Sequence, residues 1–180
     1  MYQPYMSMNK AIIVLAITIF AFLGTEIYAQ KKNLLPCSTA AYKQFDFWIG
    51  NWNVYDTKNK LIGKNNVVKM KNACAIQENW SSKTSRSKGT SYNYYNAANK
   101  SWNQVWVDNA GGSLQLKGFY RHNKMVLKSK LISGEKGAYY NQITWFKNAN
   151  GTVTQLWELL DVNNTPFNEI FRGTYKKIIK

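Results

Sequence analysis

Four polar side chains stand inside strand-like stretches of an acid-poor chain: Glu78, Glu158, Asp108 and Gln104. The 180 residues include 9 Asp+Glu against 24 Lys+Arg, so an acid set among Trp, Val and Ile is uncommon here. A carboxyl buried among indoles has its pKa raised by desolvation and can act as general acid or base near neutrality. Two such carboxyls facing each other would support glycosidase-like chemistry. The plainer reading is that each is half-exposed, pairs with Lys or Arg, or bonds backbone at a sheet rim. Sequence spacing brings no two of them together. Near them lie Trp80, Tyr94, Trp102, Trp106, Trp145 and Trp157. These rings either stack on a planar or sugar-like ligand or fill a core. Ser91 and Asn93 add polar groups to the same stretch.

Other chemistries are poorly supplied. There is no glycine-rich phosphate loop, no Gly-x-Ser-x-Gly elbow and no metal-ligand cluster. The single His122 sits in Tyr120-Arg121-His122-Asn123-Lys124, which reads as a hairpin tip, so a Ser/His/Asp triad is not expected. No metal and no cofactor is expected. Cys37 and Cys74 pair by default in an oxidising compartment, the alternative being two buried free thiols.

Formal net charge is +15, and only Arg86, Arg121 and Arg172 are arginine. Phosphate and base recognition favours the arginine fork, so a nucleic-acid partner is not expected. The excess Lys allows weak attraction to anionic cell-surface material, or is simply a solvated face.

The elements that must position these residues follow from pattern. Lys10, the apolar run AIIVLAITIFAFL (11–23) and Thr25-Glu26-Ile27-Tyr28-Ala29 read as an export signal cleaved after Ala29, with an uncleaved anchor as the alternative. The run falls short of the ~20 residues that a membrane span needs. Met8-Asn9-Lys10 is an alternative start. Residues 30–39 are a lead-in, and 40–180 form one domain. Ala40 to Trp48 reads as a short helix with Thr39 as N-cap and Phe45, Trp48 and Ile49 on its core face, ending at Gly50. Beyond it, nine turn signals separate ten strand-length intervals rich in Trp, Tyr, Val, Ile and Thr, which predicts an all-β, up-and-down antiparallel barrel. Alternation puts Trp102, Gln104, Trp106 and Asp108 on one face, and Cys74, Ile76, Glu78 and Trp80 on another. Met125, Leu127 and Leu131 oppose Lys128 and Lys130 in a plain inside/outside strand. Faces that mix indoles with a few polar groups are how a ligand cavity is lined.

Phe45-Asp46-Phe47-Trp48-Ile49-Gly50-Asn51-Trp52-Asn53-Val54 resembles the opening of the calycin barrels, the lipocalins and their relatives, which begin their first strand with Gly-x-Trp after a helical turn. Later segments, Cys74 to Trp80, Gly89 to Asn96 and Trp102 to Asn109, are similar to a group of exported bacterial proteins of unknown function. The resemblance implies a calycin-like barrel in which Trp52 plugs the closed end and packs on a basic residue of the last strand, with Arg172 as candidate. Nitrobindin-type relatives hold haem through a His on a late strand; His122 at a turn departs from that pattern. The expected role is non-catalytic binding of a small, partly apolar or aromatic molecule by an exported barrel, its oligomeric state open. One alternative is an enzyme using Glu78, Glu158 or Asp108. The other is a filled barrel working through its surface.

Overall fold

Polar and apolar residues alternate along most segments after Gly50, so each segment buries one face when extended. In this computed structural model, residues 35–70, 74–135 and 137–179 are described. The expected export signal and the turn at Lys71-Asn72 lie outside them.

The strands are β1 (Gly50–Tyr55), β2 (Leu61–Lys69), β3 (Ala75–Ser82), β4 (Lys88–Asn96), β5 (Ser101–Asp108) and β6 (Ser113–Arg121). They continue as β7 (Lys124–Lys128), β8 (Ile132–Gly134), β9 (Gly137–Lys147), β10 (Val153–Leu160) and β11 (Pro166–Lys177). Each pairs antiparallel with the next, except that β7 and β8 both lie along β9. β11 returns to β1, which closes the sheet into an up-and-down barrel of ten strands with β8 as an appendage. Closure leaves no open sheet edge among those ten strands.

The turns explain why the chain meanders. Asp56, Asp108, Asn148 and Asp161 each begin a hairpin in which the residue three further on donates its N–H to the first residue's carbonyl. In all four, the N–H of the first residue reaches the carbonyl four places on. The fourth position needs a left-handed backbone and carries Asn59, Gly111, Gly151 or Asn164. Asn and Gly are the residues that tolerate it. Asp56, Asp108 and Asp161 each also accept two backbone N–H bonds on Oδ1, which staples the turn from within. His122 and Asn123, both left-handed, form a two-residue turn between β6 and β7. His122 is therefore at a hairpin tip, as its surroundings in the sequence implied.

One end of the barrel is plugged. The expected short helix over residues 40–48 takes the form of two 3-10 turns, Ala40–Lys43 and Asp46–Trp48, and Thr39 makes no side-chain cap bond. A 3-10 turn aligns residues three apart. That spacing sends Phe45 and Trp48 together into the barrel, stacked at 4.9 Å. Phe45 meets the edges of Trp102 and Trp145, and Trp48 packs on Trp145 at 5.2 Å. Trp52 Nε1 donates to the Trp48 carbonyl at 2.9 Å, and Trp102 Nε1 to Gln44 Oε1 at 3.0 Å. Lys69 holds Asp46 at 2.7 Å. Cys37 and Cys74 form a disulfide that ties the segment before the plug to the start of β3.

Two further expectations change. Arg172 does not pack on Trp52; it points outward and pairs with Glu169 at 2.7 Å. Lys177, paired in register with Trp52, lies 5.4 Å from that ring instead. Leu131 does not join Met125 and Leu127 inside. Ser129 interrupts the strand, its N–H bonding the Asn141 carbonyl and its Oγ accepting the Asn141 N–H. The alternation slips there, and Leu131 emerges 49% exposed.

Candidate functional site

β3, β4 and β5 run side by side, so every second residue of each faces the barrel interior. In register, Glu78 lies opposite Ser91, and Asn93 opposite Gln104. These four form one bonded chain. Glu78 Oε2 accepts from Ser91 Oγ at 2.7 Å. Ser91 Oγ in turn accepts from Asn93 Nδ2 at 2.9 Å, and Asn93 Oδ1 from Gln104 Nε2 at 2.8 Å. From β2, Asn65 Nδ2 donates to Glu78 Oε1 at 2.8 Å. Glu78 is only 5% exposed, and burial raises its pKa from 4.5 to about 7 against the lowering effect of the Ser91 and Asn65 bonds. On the last strand, the buried Tyr175 hydroxyl donates to Gln155 Oε1. Burial and the nearby Glu78 hold the Tyr175 phenol well above its ordinary range.

Between these groups and the end opposite the plug lies a cavity of ≈ 260 Å³. Its polar lining comes from Glu78, Gln104, Gln155, Tyr175, Ser87 and Asp108. Its apolar walls are Trp80, Trp106, Trp145, Trp157 and Phe171, with Leu114, Ile143 and Ile170. Two glycines make room for the rings. A Cβ at Gly63 would collide with Trp80, and one at Gly89 with Trp106, so each indole lies flat over the glycine of the preceding strand. At the mouth, β10 pairs Trp157 with Phe171 and Glu158 with Glu169, which leaves Ile170 as a bulge residue, 43% exposed. Bulges at barrel rims re-aim side chains in this way.

Of the four polar and six aromatic residues singled out in the sequence, the structure brings seven to the cavity: Glu78, Trp80, Gln104, Trp106, Asp108, Trp145 and Trp157. The other three lie elsewhere. Tyr94 is on the outer wall, 39% exposed, because its neighbour Asn93 faces in. Glu158 is outward for the same reason beside Trp157, and acts on Arg172 instead. Trp102 faces inward but sits in the plug against Phe45. Asp108 reaches the mouth, yet its Oδ1 is taken by Ala110 and Gly112 N–H, the same task Asp56 and Asp161 perform in their turns. Glu158 therefore does not face Glu78 across the cavity.

Reading from residues missed Gln155, Tyr175 and Phe171. A signal for Gln155 existed: Val153, Gln155 and Trp157 repeat the apolar, amide, indole order of the Trp102 to Asp108 face. Tyr175 and Phe171 carried no such mark.

Among the described residues, no cluster of His, Cys, Asp and Glu could hold a metal ion. Comparison of the chain with protein-family models and with curated proteins finds no match.

Proposed function

We propose that this protein is an exported, calycin-like barrel that binds a small, partly apolar or aromatic molecule at its open end without transforming it. The observation that carries this reading is a ≈ 260 Å³ cavity walled by indoles and carrying a few convergent polar groups. Ligand sites are concave, mostly apolar and fixed by a small number of polar contacts. An engineered cavity of ~150 Å³ is enough for benzene, so this one suits one or two fused rings. The calycin assignment is supported by the closed meander, the Gly50-Asn51-Trp52 opening and the plug beneath Trp52. Export is supported by the Cys37–Cys74 disulfide, since such bonds persist in oxidising compartments. The basic exterior is open to weak contact with anionic cell-surface material.

Native mass spectrometry of the oxidised protein after exposure to an extract of its source cells tests the reading. A retained adduct of discrete mass is expected, lost in Trp106→Ala. Bare protein in both cases would count against it. N-terminal sequencing of the protein recovered outside the cytoplasm should begin at Gln30; an intact leader would refute the cleavage.

A second reading, acid/base catalysis, is favoured by one observation only. Glu78 lines the cavity, and burial pushes its pKa up to about 7, as suits a general acid or base. Under it, Glu78→Gln would abolish turnover while an adduct was retained.

A further inference from the structure

Although the chain carries 24 Lys+Arg, no Lys or Arg among the described residues lines the cavity. Among the described residues, the charged side chains lining it are Glu78 and Asp108, both acids. Glu78 is also the buried charged residue of the described core. Buried charges are ordinarily paired with an opposite charge. Here the partners are neutral: an amide from Asn65 on β2 and a hydroxyl from Ser91 on β4. The titratable group facing it from β11 is Tyr175, which stays neutral. Among the described residues, no cation reaches the Glu78 carboxyl. Around it stand Trp80, Trp106, Trp157 and Phe171, whose ring faces attract cations.

We propose that the ligand is an organic cation, a protonated amine on a flat apolar body, its ammonium set against the Glu78 carboxylate and its body between the indoles. This rests on the cavity-binding reading above and names the ligand class within it. Carboxylate or phosphate ligands would meet two acids and no base. A bound ammonium would also restore the ionised form of Glu78, which burial alone opposes.

Three probes share one body and differ in charge: tryptamine, 3-ethylindole and indole-3-propionate. Calorimetric titration of the oxidised protein at pH 8 should find tryptamine bound about ten-fold or more tightly than 3-ethylindole, the effect of one charge-assisted hydrogen bond. Indole-3-propionate should bind more weakly than either. The tryptamine advantage should shrink at pH 5, where Glu78 is protonated, and vanish in Glu78→Gln. If 3-ethylindole or the anion binds as well as tryptamine, or the advantage persists in Glu78→Gln, the cation assignment fails while the cavity reading stands. If none of the three binds, both fail.

Discussion

Three acids that look alike in the sequence end in three environments. Glu158 shares the outer wall with Arg172, and Asp108 is bound by its own turn. Glu78 alone of the three is enclosed, and its pKa of about 7 has a thermodynamic consequence. Between 4.5 and about 7 the folded protein keeps a proton that the unfolded chain has released. The stability present below that window is therefore lost as pH rises through it. The loss is on the order of 3 kcal/mol. Glu169, whose carboxyl Arg172 holds below its ordinary range, acts only at lower pH. Urea denaturation from pH 4.5 to 8 should show the fall in wild type and a nearly flat profile in Glu78→Gln, with the variant the more stable at pH 8. A wild-type profile that rises over that window would contradict the buried-acid account.

At the scale of elements, small devices recur. Four hairpins use one turn with an Asp or Asn at its start and an Asn or Gly in its left-handed position. Two neighbouring strand pairs use one packing rule, an indole laid over a glycine: Trp80 over Gly63 and Trp106 over Gly89. The rule sets the width of the cavity, because the rings lie against the wall rather than across the lumen. Adding a methyl group at either glycine must push the ring inward. Gly89→Ala should cost about 1–3 kcal/mol as overpacking does, shift the tryptophan emission, and weaken binding of any cavity ligand. Equilibrium denaturation followed by fluorescence reads the first two together. Unchanged emission would mean that Trp106 does not rest where the geometry puts it.

For the whole molecule, closure of β11 on β1 and the aromatic plug make one end solid and leave the other hollow. A barrel of about eight strands can be filled by side chains, and the two extra strands here give the lumen its spare volume. The disulfide joins the plug segment to β3 across a separation of 37 residues. Constraining a loop of that length stabilises by about 4 kcal/mol in the chain-entropy account. The Cys37→Ser, Cys74→Ser double variant should lose roughly that much against denaturant yet keep its barrel circular dichroism. An unchanged midpoint would show that the plug is held by its rings alone.

The period-2 pattern, the turn residues and the Gly50-Asn51-Trp52 opening were enough to reach an all-β meander of ten strands, because those signals are local. The Cys37–Cys74 disulfide followed from the expected export signal, which places both thiols in an oxidising compartment. Faces were legible wherever alternation was applied strictly: Glu78 with Trp80, and Trp102 through Asp108. They are not legible for Tyr94 and Glu158, each of which neighbours a residue that faces inward. Asn93 with Tyr94 and Trp157 with Glu158 cannot share a face in one strand. Depth along the lumen was not legible at all. Trp102 and Trp106 point the same way, yet one packs in the plug and the other walls the cavity. Which strands meet across the barrel, and therefore that Tyr175 and Gln155 would lie near Glu78, depended on β11 closing on β1. Contacts between residues so distant in sequence exist only once the sheet has curled shut.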